Sequence, residues 1–345
     1  MSRLLDDSPC FVLFSGGCDS SLILAAATAA CRGTGHADPV AVTYRYSSVP
    51  AADERRYQEL MVERLGLGEW IVVDLDDDGD LLGEPATAAL REHGLVWPPA
   101  VLAHTAVLDR LDPGLVLSGE GGDEVFGPRR VTPVLEEGMR VRHGGRPSRA
   151  AARAVRYVVA PRAWRARQAR AGVSRAYAPD WLAPELRDDL VRRLGALDAL
   201  EPLRPSRYFD YSMSLPWVWI GRRNVRAVHA RFGLRWEAPL YDPTVHGALA
   251  GSVRWHEYRG RVTILRRHFA ELLPAEIVER RTKGFYNAAY LGASTREFAR
   301  RWTGRGLPEG VDAEWLKEHW TSAEQIHAGT SLLLHQAWLA TEGDA

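Results

Sequence analysis

Short apolar runs alternate with helical patterns along the first 130 residues of the chain. Four of the runs have the length and composition of strands: Cys10–Phe14, Val40–Tyr44, Trp70–Leu75 and Leu115–Ser118. Three segments between them favour helix: Ser20–Cys31, Ala52–Leu65 and Val101–Leu111. Strands and helices that alternate at this spacing predict an α/β fold, with a parallel twisted sheet covered by helices on both faces.

Beyond residue 130 the pattern is mostly helical, with breaks at proline and glycine. Neither an internal repeat nor a low-complexity tract interrupts this order. We therefore divide the chain into an α/β core at 1–135, an Arg-rich helical insertion at 136–205 and a helical C-terminal part at 206–345.

Two charge runs need an interpretation. From Gly138 to Pro179 the chain has no acidic residue and eleven arginines. This stretch is either a helical pair with a solvated basic face or a docking surface for an acidic peptide, a partner protein or RNA. The acidic run Asp74–Asp80 follows a predicted strand. We interpret it as a solvated loop, with a metal site as the alternative.

The composition excludes several classes of protein. Forty-four basic residues balance 44 acidic ones, so no overall field attracts nucleic acid or an anionic membrane. The longest strongly apolar run, Leu22–Cys31, is far shorter than a membrane span, and the N-terminus lacks the apolar core of a secretory signal. Three cysteines without a CxxC pair exclude a disulfide scaffold and a Cys-rich zinc site. We expect a cytoplasmic protein with no membrane partner.

A glycine-rich SGGCDSS motif follows the first predicted strand and opens the first predicted helix. Gly16 and Gly17 allow a tight turn that exposes successive N–H groups, and the helix N-terminus adds about half a positive charge. The hydroxyls of Ser15 and Ser20 add donors, so the loop suits an anion such as pyrophosphate. Asp19 is then the expected ligand of a divalent metal, because a bare carboxylate would repel phosphate.

A second glycine-rich motif, SGEGGDEVFG, begins at Ser118 and follows the fourth predicted strand. Ligands of parallel sheets bind at the carboxyl ends of the strands, where both motifs fall. The first motif resembles the pyrophosphate loop of the N-type ATP pyrophosphatases. The second resembles the signature of their asparagine synthetase branch, which GMP synthetase, NAD synthetase and the tRNA-thiolating enzymes lack. The resemblance to the asparagine synthetase family is strong over residues 10–130 and looser over 210–340.

The resemblance implies a two-step reaction that uses ATP and Mg²⁺. A substrate carboxylate attacks the α-phosphorus, pyrophosphate leaves, and an amine then displaces AMP from the acyl-adenylate. Asp19 and Asp123 match the family's magnesium ligands. The positions that match nucleotide-binding ones, partly through backbone atoms, are Phe14, Ser15, Gly16, Gly17, Asp19, Ser20, Thr43, Ser118, Gly119 and Gly122.

Three residues are candidates for catalysis by the same resemblance. Lys283, in the RTKGF segment, matches the family's lysine that neutralises charge on phosphorus and later on carbon, and the only other lysine of the chain is Lys317. A donor of this type contributes about 2.7–4 kcal/mol to lowering the barrier. The alternative is a surface lysine after a helix. Glu120 occupies the place of a tyrosine in β-lactam synthetases, and a glutamate there is typical of asparagine synthetases.

The third candidate is Glu237, in a segment that resembles the family's E-x-R-x-P-F-L-D stretch. Here the acid and the arginine are interchanged, so that Arg235 precedes Glu237 by two residues. On an extended segment these positions face the same side. Glu237 is therefore either a catalytic acid that replaces the displaced one or a simple ion-pair partner.

The first motif lies at residue 15, so we expect no glutamine amidotransferase domain in this chain. The amine then comes from the substrate, from free ammonia or from a separate subunit. The segment from Glu279 to Trp302, with the late LLLHQAWLA helix, resembles actinobacterial lasso-peptide cyclases. We therefore predict an ATP-dependent amide- or lactam-forming ligase, with a peptide macrolactam as the best assignment of the product.

Several alternatives stay open. A small-molecule amide or β-lactam synthetase, or an ammonia-using asparagine synthetase-like enzyme, would use the same motifs. An RNA-modifying ATPase would use the Arg-rich stretch to hold RNA phosphates. The expected partners are a small-molecule or peptide substrate that carries a carboxylate and an amine, and a leader-peptide-binding or protease partner protein. Nucleic acid is not expected.

Overall fold

The computed structural model describes residues 9–75, 78–146, 148–177, 179–280, 282 and 284–342, with only the backbone described at 174–177. Five strands form one sheet: β1 Cys10–Leu13, β2 Val40–Arg45, β3 Trp70–Asp74, β4 Gly114–Leu117 and β5 Leu234–Glu237. Their order is β3-β2-β1-β4-β5, and all four pairings are parallel. The predicted parallel α/β sheet is confirmed, and the carboxyl ends of all five strands meet at one edge.

The helices are α1 Cys18–Thr34, α2 Arg55–Leu65, α3 Glu84–His93, α4 Ala100–Ala103, α5 Thr105–Leu108, α6 Gly122–Phe126, α7 Thr132–Arg142, α8 Arg149–Val159, α9 Arg162–Tyr177, α10 Pro184–Asp198, α11 Tyr208–Met213, α12 Pro216–Arg231, α13 Pro243–Ser252, α14 Arg261–His268, α15 Ala275–Val278, α16 Ala293–Arg301, α17 Ala313–Ser322 and α18 Ser331–Glu342. Two differ from the sequence prediction. The helix predicted over Val101–Leu111 is two short helices, α4 and α5, that meet at His104. The helix predicted from Ala52 begins at Arg55, because a 3₁₀ turn with proline in its first position precedes it.

Helices cover both faces of the sheet because successive residues of each strand point to opposite sides. Phe11 of β1 belongs to a core shared with α3, α4, α5, α12 and α18. Its neighbour Val12 belongs to a second core shared with α1, α14 and α15. The three central strands β1, β2 and β4 are thus covered on both faces, which is why they read as unbroken apolar runs.

Strand β5 is the element that the apolar pattern does not predict, since Arg235 and Glu237 interrupt it. It pairs with β4 in parallel, with Leu117 opposite Glu237, and Trp236 is buried. The sheet therefore takes one edge strand from the part of the chain beyond residue 205.

The Arg-rich stretch folds into α8 and α9, and α9 packs against α10. Arg165 is buried and donates to the carbonyl of Ala199 at 2.6 Å, whereas Arg149 and Arg153 of α8 are exposed. Within the described ranges, no helix combines the length and the apolar character needed to cross a bilayer.

The acidic run after β3 departs from the expected solvated loop at one position. Asp76 and Asp77 lie outside the described residues, but Asp80 is buried. Its carboxylate accepts a hydrogen bond from the backbone N–H of Thr295 at 3.0 Å and another from the Thr295 hydroxyl. Asp80 thus joins the loop after β3 to the start of α16.

Candidate active site

The SGGCDSS motif forms the turn between β1 and α1. Gly16 has φ +84°, a left-handed conformation that side chains rarely adopt. Gly17 caps α1 in an extended conformation without a side-chain hydrogen bond, so the first N–H groups of the helix lack a capping acceptor. The Ser15 and Ser20 hydroxyls lie 3.1 Å apart at the mouth of this turn. The helix N-terminus, the two hydroxyls and the Gly17 N–H, which donates to Ser15 Oγ at 3.4 Å, form a cradle for an anion.

The SGEGGDEVFG motif packs directly on this cradle. A Cβ added at Gly119 would come within 2.6 Å of the Ser20 backbone nitrogen, and one added at Gly122 would come within 2.0 Å of Asp19 Cγ. Only glycine leaves room for this approach. The contact brings the loop after β4, with Asp123, alongside Asp19.

One guanidinium joins the two aspartates. Arg261, at the start of α14, lies 3.2 Å from Asp19 Oδ2 and 2.5 Å from Asp123 Oδ1. Two carboxylates that converge on one cation, beside an anion cradle, fit a magnesium ion that completes its coordination with phosphate oxygens and water. No group of three or more His, Cys, Asp or Glu side chains in the described part of the chain forms a metal cluster by itself.

A cavity of about 470 Å³ lies between the two loops and the segment before residue 290. Its lining comprises Leu13, Ser15, Gly17, Cys18, Asp19, Ser20, Tyr44, Glu54, Ser118, Gly119, Glu120, Arg261, Val262, Val278, Arg280, Thr282, Gly284 and Tyr286. Most of the sequence-predicted site residues that the structure describes are in this set. The rest of the lining comes from elements far apart in the chain.

Glu120 lies where this cavity meets a smaller one of about 120 Å³. As a residue Glu120 is exposed, but protein atoms lie close around its carboxyl group. This desolvation, and secondarily the nearby Glu124 carboxylate, raises the pKa of Glu120 to about 7, while Arg222 acts in the opposite direction. A carboxyl group with this pKa exchanges protons readily at neutral pH.

The smaller cavity is almost free of charge. It shares Leu13, Tyr44 and Glu120 with the larger one, and its other walls are mainly aliphatic. The Tyr44 ring stacks on His104 with centroids 4.5 Å apart. Burial lowers the pKa of His104 to about 4, so this imidazole is neutral at physiological pH. The smaller cavity therefore suits a flat, uncharged ring.

Some predicted site residues do not line the cavity. Phe14 is in the core, and the Thr43 hydroxyl donates to the Phe14 carbonyl at 2.8 Å and accepts from Trp70 Nε1 at 2.9 Å. Their side chains thus support the loop from inside, as Gly16 and Gly122 do by close packing.

The two remaining candidates for catalysis are Glu237 and Lys283. The Glu237 carboxylate lies 2.6 Å from Arg226 of α12 and outside the cavity lining, as the ion-pair alternative predicts. Its backbone carbonyl accepts from the Ser118 N–H at 3.0 Å. Lys283 and Arg281 lie outside the described residues, but Thr282 and Gly284, the neighbours of Lys283 in sequence, line the cavity.

Three charged residues of the cavity lining escape the sequence analysis, namely Glu54, Arg261 and Arg280. In a chain with 44 basic residues, nearly all of them arginine, a functional arginine has no contrast with its background. The only available signal is the position of Arg280 beside the RTKGF segment.

Cys18, in the variable position of the first motif, is a structural thiol. Its Sγ donates to the carbonyl of Ile277 at 3.0 Å. Burial, and secondarily the Asp19 carboxylate, raises the pKa of the thiol above its usual range, whereas Arg261 and Arg280 act in the opposite direction. A protonated, hydrogen-bonded thiol is a poor nucleophile.

A parallel sheet with two packed glycine-rich loops, an anion cradle and paired aspartates fits an enzyme that binds ATP at the carboxyl ends of its strands. The family model described as Asparagine synthase matches residues 1–340, and the chain belongs to this family. A search of curated proteins found no match.

Proposed function

We propose that this protein adenylates a carboxylate of a peptide and closes a macrolactam with an amine of the same peptide. The observation that carries the proposal is Glu120, whose carboxyl group has a pKa of about 7 and which lines one cavity with the anion cradle, Asp19 and Arg261. Arg261 in turn joins Asp19 to Asp123. An acid–base group beside a nucleotide cradle suits a reaction in which amide formation follows adenylation.

In the first step the cradle formed by Ser15, Gly17 and Ser20 binds the β- and γ-phosphates of ATP, and the smaller cavity beside Tyr44 binds the adenine ring. Asp19 and Asp123 would hold Mg²⁺, which neutralises phosphate charge when bound. Arg261 releases these carboxylates and pairs with phosphate oxygens. Lys283 donates to the pentavalent phosphorus centre, and this role rests on its RTKGF context.

In the second step the amine attacks the acyl carbon and expels AMP. Glu120 accepts the proton that the amine loses, since about half of its population is carboxylate near pH 7. A peptide α-amine has a pKa of about 7.7–8.0, so a useful fraction is neutral at the same pH. A base of modest strength therefore suffices.

The peptide assignment rests on the resemblance of the segment from Glu279 to Trp302 to lasso-peptide cyclases. The cavity favours it in one respect. About 470 Å³ lies beside the loops, with Val262 and Val278 in its wall, so the cavity offers apolar contacts beyond the nucleotide. A small-molecule amide or β-lactam synthetase is the alternative within the same chemistry.

The RNA-modifying alternative is less well supported. Thiol transfer to RNA needs a reactive cysteine, whereas Cys18, the cysteine of the cavity lining, is hydrogen-bonded and has a raised pKa. The exposed arginines of α8 and α9 are the only observation in its favour.

The test is substrate-dependent ATP–pyrophosphate exchange with AMP detection, across free amino acids, small carboxylic acids and peptides that contain Asp or Glu. We expect exchange with peptides only, and a product one water lighter than the substrate. Exchange with a small carboxylate alone would replace the macrolactam by small-molecule amide synthesis. AMP release with RNA, without exchange on any carboxylate, would overturn the proposal.

A further inference from the structure

A buried ion pair adjoins the cavity and has no part in the mechanism described above. Arg280 and Glu54 are each only 5% exposed, and Arg280 Nη2 donates to Glu54 Oε1 at 2.6 Å. Glu54 precedes α2, whereas Arg280 follows α15. An ion pair of this burial is costly to form unless further hydrogen bonds satisfy both groups.

Arg280 makes those further hydrogen bonds to two functional segments. Its Nη1 donates to the carbonyl of Gly16 in the cradle at 2.8 Å, and its Nε donates to the carbonyl of Thr282 at 2.8 Å. The guanidinium also lies 4.0 Å from the centre of the Tyr57 ring. One side chain therefore connects the pyrophosphate cradle with the residue that precedes Lys283.

The start of α2 completes this connection. Gln58 Nε2 donates to the Ser15 carbonyl at 3.3 Å, and a Cβ at Gly16 would lie 3.1 Å from Gln58 Cγ. Glu54 also approaches the far segment, since a Cβ at Gly284 would lie 2.9 Å from Glu54 Oε1. Two consecutive carbonyls of the cradle are thus held by side chains, that of Gly16 by Arg280 in the cavity wall and that of Ser15 by Gln58 of α2.

Peptide planarity gives this arrangement a consequence for binding. The carbonyl and N–H of one peptide unit point in opposite directions. Because Gln58 and Arg280 hold the Ser15 and Gly16 carbonyls, the N–H groups of Gly16 and Gly17 point the opposite way, and that of Gly17 donates to Ser15 Oγ at 3.4 Å. The cradle is then organised before its ligand arrives, and no binding energy is lost in turning peptide planes.

We infer that Glu54 and Arg280 are a positioning pair that orients the cradle amides toward pyrophosphate and fixes the Thr282 backbone beside them. This inference rests on the proposed function. Lysine cannot replace Arg280, because a single ammonium cannot reach Glu54, Gly16 and Thr282 with the geometry of the guanidinium fork. The pair acts through the backbone carbonyls that Arg280 holds.

The experiment measures equilibrium binding of magnesium pyrophosphate and ATP–pyrophosphate exchange for Arg280→Lys, Arg280→Ala and Glu54→Gln. The matched control is Arg32→Lys. Arg32 also pairs with a carboxylate, that of Asp38, and donates to a backbone carbonyl, that of Leu65, but it is half exposed and lies outside the cavity lining.

We expect Arg280→Lys to weaken pyrophosphate binding about tenfold and to slow exchange about a hundredfold, with Arg32→Lys unchanged. Added guanidinium ion should restore pyrophosphate affinity to Arg280→Ala, which a merely structural loss would not allow. If Arg280→Ala does not fold, Glu54→Gln, of equal size, provides the second measurement.

Folded Arg280→Lys and Glu54→Gln that both bind pyrophosphate within about twofold of the unmodified protein would overturn the inference. Pyrophosphate binding needs no carboxylate substrate. Failure of the proposed reaction therefore shows as absent exchange in the unmodified protein, while failure of the positioning pair shows in the binding constants.

Discussion

The loops after β1 and β4 look alike in sequence but are held in different ways. The carbonyls of the first are held by Arg280 and Gln58, and its Asp19 is 22% exposed beneath Gly122. The second packs on the first through its glycines, and its Asp123 is 79% exposed. The difference separates a rigid half of the site, which defines where phosphate binds, from an open half, which can adapt to what arrives.

The largest expected effect is common to both halves. Asp19→Asn and Asp123→Asn should each reduce ATP–pyrophosphate exchange by about a thousandfold or more, because each removes a carboxylate that balances phosphate charge through magnesium. The control is Asp188→Asn, at an exposed aspartate of α10, which should leave exchange unchanged. Normal exchange in either cavity variant would remove that residue from the mechanism.

Lys283→Ala tests the RTKGF segment, of which Thr282 and Gly284 line the cavity. We expect exchange to fall about 10²- to 10³-fold with the fold intact, since one donor to a charged transition state is lost. Lys317→Ala, the other lysine, serves as the control because its Nζ donates to the Trp302 carbonyl far along the chain. A circular dichroism spectrum checks the fold, and equal activity of both variants would contradict the assignment.

Glu120→Gln tests the open half. The amide-forming rate should fall about a hundredfold, as for loss of a general base. A base must be deprotonated, so the rate of the unmodified protein should rise with pH through about 7. In the variant only the later rise of the peptide amine, at about 7.7–8.0, should remain. Glu237→Gln, which alters an ion pair with Arg226, should keep both rate and pH profile. A rise through about 7 that persists in Glu120→Gln would assign that titration to another group.

Replacing each aspartate by glutamate tests most directly whether the two halves of the site differ in rigidity. Asp123→Glu should cost only about tenfold in exchange, because the open side chain can withdraw by one methylene. Asp19→Glu should be as inactive as Asp19→Asn, since Gly122 leaves no room beside the carboxylate. Magnesium titrations of both variants provide the measurement, and equal losses would show that the halves do not differ in rigidity.

The smallest expected effect is that of Cys18→Ala. Exchange should stay within about twofold, because the buried thiol acts as a small apolar side chain that donates to Ile277. A loss above tenfold would indicate thiol chemistry and favour the RNA-modifying alternative.

Local patterns predicted four of the five strands and both loops, because apolar runs followed by glycine are decided within a few residues. Strand β5 was not predicted because the exposed Arg235 interrupts the apolar pattern, although its neighbour Trp236 is buried and the segment pairs with β4. Strand alternation gave the side on which Glu237 lies but not its partner, Arg226, on another element. Arg280 and Glu54 are 226 residues apart, and no local sequence pattern in either segment predicts their pairing.

The position of β5 has a consequence for how the chain is made. Until residue 237 has left the ribosome, β4 presents an unpaired edge, and the whole Arg-rich insertion is synthesised in the meantime. Such an edge invites pairing with other chains. Nascent chains stopped short of β5 should therefore aggregate, while those that include it should not.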